Sequence, residues 1–245
     1  MVRLKVFRAI DDQQSCEKFL EGHRRVLKSV GVTEVTTAKD DWFNNPAVFV
    51  LMVESEDGSK VFGGARVQAA DGNIPLPIED AVGDMDPKIY DFVKSQRLNG
   101  TGELCGLWNS LEVAGLGFGS VFLIRAGVAI TTQLGLDSLF ALCSPFTARI
   151  CKNYSFEIVK SLGNEGTFYY PKSDLIATVA LIHDTATLTG GDHNECDRIF
   201  DLRRDPLQRT VEKGKRKDIE IQYELDLPQI DIQEFKSEKD KPSKV

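Results

Sequence analysis

The 245-residue sequence contains no hydrophobic run long enough to cross a bilayer, no paired cysteine motif and only three histidines. Its longest apolar stretches, residues 47–53 and 176–182, fall far short of the roughly 20 residues of a spanning helix. They are read as buried strands, and no membrane span is expected. The five cysteines, Cys16, Cys105, Cys143, Cys151 and Cys196, are odd in number and widely spaced, which excludes a disulfide framework and a zinc site of the C-x-x-C kind. His23, His183 and His193 have no metal-ligand spacing, so no metal is expected. Residues 1–8 alternate charged and apolar side chains and lack the unbroken apolar stretch of a secretory signal, so a reducing, cytoplasmic location is expected. Excess positive charge is missing as well. A net charge of -7 argues against general nucleic-acid binding, because phosphate contacts need a basic surface.

What remains is the composition of an ordinary globular protein, with 42% hydrophobic and 27% charged residues. Residues 2–7 read as a strand, and 11–30, with Phe19, Leu20, Val26 and Leu27, as an amphipathic helix. Residues 47–54 and 60–69 read as a hairpin around the turn composition of 55–59. Pro75, Pro77 and Pro87 interrupt the stretch 73–100, which is taken as an insertion beside a cleft with a short helix at 88–96. Residues 103–108 form a third strand. A helix at 120–134 is apolar on nearly every side and must be deeply buried. Strands at 138–143, 156–161 and 175–183 follow, with Pro145 placed to open a helix. The alternation predicts an α/β (mixed α+β) fold, a central sheet flanked by helices on both faces. Residues 1–184 are assigned to this domain and 185–235 to a C-terminal extension, with a helix near 197–202 and a strand-like 219–225. The Lys-rich tail 236–245 is expected to be disordered.

Between the third strand and the apolar helix stand Gly115, Gly117 and Gly119. Glycines at a strand-to-helix junction let backbone N–H groups approach an anion, and the helix N-terminus adds roughly half a positive charge. A dinucleotide site would need G-x-G-x-x-G with an acidic residue about 20 positions on, and the spacing here is G-x-G-x-G. A P-loop is excluded because no Gly-Lys-Ser/Thr follows. Acyl-CoA or acyl-phosphopantetheine fits the turn best.

The run 103–163 resembles the core of the GNAT acyltransferase superfamily. That resemblance implies a mixed, mostly antiparallel GNAT-like sheet, with Leu104 to Asn109 on its splayed central strand. It implies a pyrophosphate-binding turn at Ala114, Gly115, Leu116, Gly117, Phe118 and Gly119, with Ala114 standing where many members carry Gln or Arg, and the donor-binding set extends to Trp108, Asn109 and Ser120. Gly63-Gly64-Ala65-Arg66-Val67 followed by Leu76-Pro77, with Glu103 heading the strand, resembles the branch of acyl-homoserine-lactone and N-acyl amino acid synthases. That branch commonly takes its acyl group from acyl carrier protein. The lactone synthases follow the glutamate by three with an arginine, where this chain has Gly106, which points away from S-adenosylmethionine as acceptor.

The function expected is acyl transfer from an acyl-CoA or acyl-carrier-protein thioester to an amine of a small metabolite, with no permanently bound cofactor. Aminolysis of a thioester needs a base and, in some enzymes, an acid for the leaving thiolate. Glu103 is the candidate base, because partial burial beside a cleft raises a carboxyl into the working range. Arg66, inside an apolar strand, is read either as paired with an acid such as Glu103 or as a solvated, outward-facing side chain. The resemblance puts Cys151 where many acetyltransferases carry a tyrosine acid, with Tyr154 close by. Trp108 and Phe118 are candidates to line an acyl channel or the core. Alternatives are an acetyl-CoA-dependent protein N-acetyltransferase and a GNAT-like binding domain without turnover. Residues 203–217 hold seven basic side chains against Asp205 and Glu212, a candidate dock for an acidic carrier protein or a solvated linker.

Overall fold

The computed structural model describes residues 1–32, 35–113, 119–213 and 218–227. Ten strands form one sheet: β1 (Val2–Arg8), β2 (Val48–Ser55), β3 (Val61–Ala69), β4 (Thr101–Asn109), β5 (Ser138–Cys143), β6 (Glu157–Ile158), β7 (Thr167–Tyr169), β8 (Ile176–Ile182), β9 (Arg209–Glu212) and β10 (Ile219–Glu224). Their order is β6-β8-β5-β4-β3-β2-β1-β10-β9, with β7 also paired to β8. The β4–β5 and β1–β10 pairs are parallel and the others antiparallel, giving the expected mostly antiparallel sheet.

Strand β2 shows why both faces must be covered. Phe49, Leu51 and Val53 pack into one core and Val48, Val50 and Met52 into another, so its run is apolar throughout. The first core lies against α4 (Ser120–Ala129) and α6 (His193–Arg204). The second lies against α1 (Gln13–Ser29), whose Phe19 and Leu20 face the sheet and whose N-terminus Asp12 caps by accepting from the Ser15 N–H at 3.0 Å. A third cluster joins α2 (Pro77–Val82) and α3 (Lys88–Arg97) to β5 and β8. Short α5 (Pro145–Cys151) follows β5 and starts at Pro145, with Ser144 as its cap.

Several boundaries differ from the sequence expectation for local reasons. Pro77 opens α2 instead of ending regular structure, since a helix's first N–H groups are unpaired in any case and the Glu79 carboxylate accepts from the Leu76 N–H at 2.7 Å. The α4 helix stops at Ala129 and passes into a 3₁₀ turn (Ile130–Thr132). Residues 156–161 give only the two-residue β6, because the chain turns at Lys160, whose N–H donates to the Ile158 carbonyl. The helix expected at 197–202 begins at His193, where Asp192 caps it by accepting from the Glu195 N–H.

The described residues beyond 184 include elements packed into the same sheet and core. Strand β10 runs beside β1, and Ile199, Leu202, Ile221, Tyr223 and Leu225 are buried with α4. Arg125 of α4 ties them together at 2.8 Å from Glu195 and 2.9 Å from Glu212, while Arg198 and the Tyr223 hydroxyl also meet Glu212. Arg203 is turned inward too, donating to the carbonyls of Val128 at 3.1 Å and Thr185 at 2.7 Å near the end of α4. With Arg204 on Asp201 and Arg209 on Glu220, much of the basic run is already paired within the fold. Residues 214–217 and 228–245, including the expected tail, lie outside the described residues.

Candidate active site

Strands β4 and β5 pair in parallel only from Thr101 to Glu103, opposite Ser138 to Phe140, and then separate. On its other side β4 carries a bulge. Its pairing with β3 slips between Arg66–Cys105 and Gly64–Trp108, and Gly106 takes a left-handed φ of 59°. A cavity of ≈ 360 Å³ opens at this splay. Its lining runs through the sheet, from His23, Thr37, Glu103 and Cys105 on the α1 and α2 side to Leu104, Ile124, Ala141 and Cys151 on the α4 and α5 side. The cavity thus has walls on both faces of the sheet.

Glu103 stands at the point where the strands part. It is 2% exposed, and its Oε2 accepts from the Ile78 N–H in the first turn of α2 at 2.7 Å. Burial pushes its carboxyl up to about 8, against the opposing pull of the Ile78 hydrogen bond and the Arg66 charge. That value suits a base working near neutral pH.

Arg66 is 1% exposed and lies with its guanidinium 4.1 Å from the Trp42 ring centre. It feels the charge of Glu103 without forming an ion pair with it, and its burial keeps it from solvent, contrary to both readings of the sequence. Its Nη2 donates weakly to the Thr37 carbonyl at 3.4 Å, while Nε and Nη1 have no hydrogen-bond partner. Desolvation lowers its pKa. Arg66 lines a second hollow of ≈ 150 Å³ with Trp42, Asp41, Gln68 and Asp80, and Thr36 borders both spaces.

The remaining sequence candidates are spread apart. Cys151 lines the main cavity, but its contact with the Cys143 thiol and its burial raise its pKa well above the usual thiol range, so it remains a neutral thiol. Tyr154 is buried in the core, its hydroxyl 3.4 Å from the Val121 carbonyl, and does not line the cavity. Trp108 packs edge-on to Phe19 and lines a groove beside α1 rather than the cleft. Asn109 reaches the start of α4, where its Nδ2 donates to Ser120 Oγ and its Oδ1 is left unpaired. Gly119 has φ 103°, and a Cβ there would lie 2.1 Å from Asn109 Oδ1. Ala114, Gly115, Leu116, Gly117 and Phe118 lie outside the described residues.

Two cavity residues carried little sequence signal. Tyr170, whose hydroxyl accepts from the Thr36 N–H at 3.0 Å, comes from a loop far along the chain. His23 falls on the buried stripe of α1, four residues from Phe19 and from Leu27. A histidine inside an apolar stripe was its only mark.

No protein-family model matches the sequence, and no curated protein matches it significantly. Solved structures do. FeeM, an N-acyl amino acid synthase from uncultured soil microbes, matches with TM-score 0.58 and 10% identity over 78% of this chain and 95% of its own. The AHL synthase LasI matches with TM-score 0.55 and 14% identity over 78% and 96%. MesI, a CoA-dependent acyl-homoserine lactone synthase, matches with TM-score 0.51 and 15% identity over 83% and 95%. The chain thus has the GNAT-like fold shared by acyl-homoserine lactone synthases and an N-acyl amino acid synthase.

Proposed function

We propose that the protein is an N-acyltransferase that moves an acyl group from an acyl-CoA or acyl-carrier-protein thioester to the amine of a small metabolite. The observation that carries this reading is the buried Glu103 carboxyl, raised to about 8, at the opening of the β4–β5 splay. The thioester enters between the strands from the α4 side, with its phosphates at Gly119 and the α4 N-terminus. The amine enters from the α1 and α2 side and attacks the thioester carbon. A C–N bond forms, its surplus proton passes to Glu103, and the C–S bond breaks with departure of the thiolate.

The unpaired Nε–H and Nη1–H of Arg66 favour an acceptor that also bears an anionic group, because buried donors of a guanidinium left unmet are costly. An amino acid has both groups, in keeping with the N-acyl amino acid synthase among the structural neighbours. Five free cysteines fit the reducing cytoplasm, where such thioesters are made.

Incubation with octanoyl-CoA or octanoyl carrier protein and each common amino acid tests the proposal. Thiol release with an N-octanoyl product by mass spectrometry is the expected result. Absence of product from both donors with every acceptor would reject it.

A further inference from the structure

His23 is 4% exposed, lines the central cavity, and its Nδ1 has no hydrogen-bond partner. It lies on the same face of the sheet as Arg66 and Glu103, on the side opposite Ile124 and Cys151. The Thr37 backbone lies beside the ring and pulls its pKa up, against the stronger lowering by burial. A neutral imidazole has one N–H and one bare nitrogen, and with the N–H on Nε2 the unpartnered Nδ1 is free to accept. The groups facing the ring are the Arg66 and Arg24 charges, the Thr37 backbone and the Phe19 ring 6.1 Å away. Burial first, and then the charge of Arg66, lowers the imidazole to about 4, so the ring is neutral throughout the physiological range.

The cavity therefore presents two acceptors, Glu103 and His23 Nδ1, on the amine side. A primary amine has two N–H groups and one lone pair in three different directions. Donating one N–H to each acceptor leaves the lone pair as the only free direction.

We propose that His23 Nδ1 accepts one N–H of the acceptor amine while Glu103 takes the other, so that the pair selects a primary amine and aims its lone pair at the thioester carbon. The inference rests on the acyl-transfer reading and adds a substrate class to it. No bond to His23 forms or breaks, and the proton released on C–N formation goes to Glu103 as before.

Nitrogen NMR of the full chain labelled at its three histidines tests the contact without turnover. The probes are glycinamide and each common amino acid, added at pH 8. His23 should show a bare Nδ1 resonance that moves upfield with at least one of them. A protonated Nδ1, or a bare Nδ1 that no probe moves, would overturn the proposal. Where octanoyl transfer is present, His23→Leu should raise the KM for the amine by about tenfold, the scale of one neutral hydrogen bond, and leave the KM for the thioester unchanged. His23→Asn, which sets an oxygen near the place of Nδ1, should restore part of the loss. Unchanged kinetics in His23→Leu would overturn the inference while leaving the acyltransferase reading intact, whereas lack of transfer by the wild type would count against that reading.

Discussion

The Ile78 backbone N–H points at Glu103 Oε2 across 2.7 Å, so the first turn of α2 holds the carboxyl that burial has lifted to about 8. Pro77 opens α2, whose first turn places this backbone donor on the buried acid. The carboxyl's ordinary value of 4.5 in the unfolded chain and its raised value in the fold make stability depend on pH. The folded state binds the extra proton between these values. Its contribution to stability is complete below about 4.5 and is lost as pH rises through about 8. Glu103→Gln should therefore remove part of the fall in stability over this window. Urea unfolding of both proteins at pH 5 and pH 8.5 checks it, with a smaller difference expected in the variant.

The proposed donor site includes Gly119 and Asn109. With φ at 103° and no room for a Cβ beside Asn109 Oδ1, Gly119→Ala should destabilise the protein by about 1–3 kcal/mol. It should also push Asn109 away from Ser120 and weaken CoA binding. Thermal melting and calorimetric titration with CoA read the two effects. Wild-type CoA affinity in a folded Gly119→Ala protein would separate this site from the donor.

The C-terminal strands depend on Arg125, which is buried between Glu195 and Glu212. Arg125→Leu leaves the Glu212 carboxylate with Arg198 as its one charged partner, beside the Tyr223 hydroxyl, and removes the tie from α4 to α6 and β9. The expected loss is about 3–5 kcal/mol, the usual cost of breaking a buried ion pair from one side. Urea unfolding measures it, and a loss below about 1 kcal/mol would mean that apolar packing alone holds these elements together.

The fold was legible where periodicity is strong. The seven-residue apolar runs, the hairpin, the largely apolar α4 and the order of strands around the glycines follow from burial on one or two faces. Glu103 was legible for a related reason, since an acid at the head of an apolar strand must be either solvated or titrated upward. Other features depend on contacts distant in sequence. The place of β10 beside β1 joins residues more than 200 apart. Trp108 was ambiguous because a large ring beside a turn suits a channel or a core equally, and the bulge at Gly106 lies next to it on β4. His23 and Tyr170 reach the cavity from an early helix and a late loop. Arg203 looked like part of an exposed basic run, and only the fold brings it to the carbonyls near the end of α4.

The most direct test of the central claim is the rate of octanoyl-thioester aminolysis by wild type and Glu103→Gln, measured from pH 6 to 9.5. A base must be deprotonated to act, so the wild-type kcat/KM should rise with pH and level off above an apparent pKa near 8. The variant should lose about 10²–10⁴-fold in kcat and the limb near 8 with it, while still binding the thioester. A Glu103→Gln protein that turns over at the wild-type rate, or keeps the same pH limb, would contradict the assignment of Glu103 as the base.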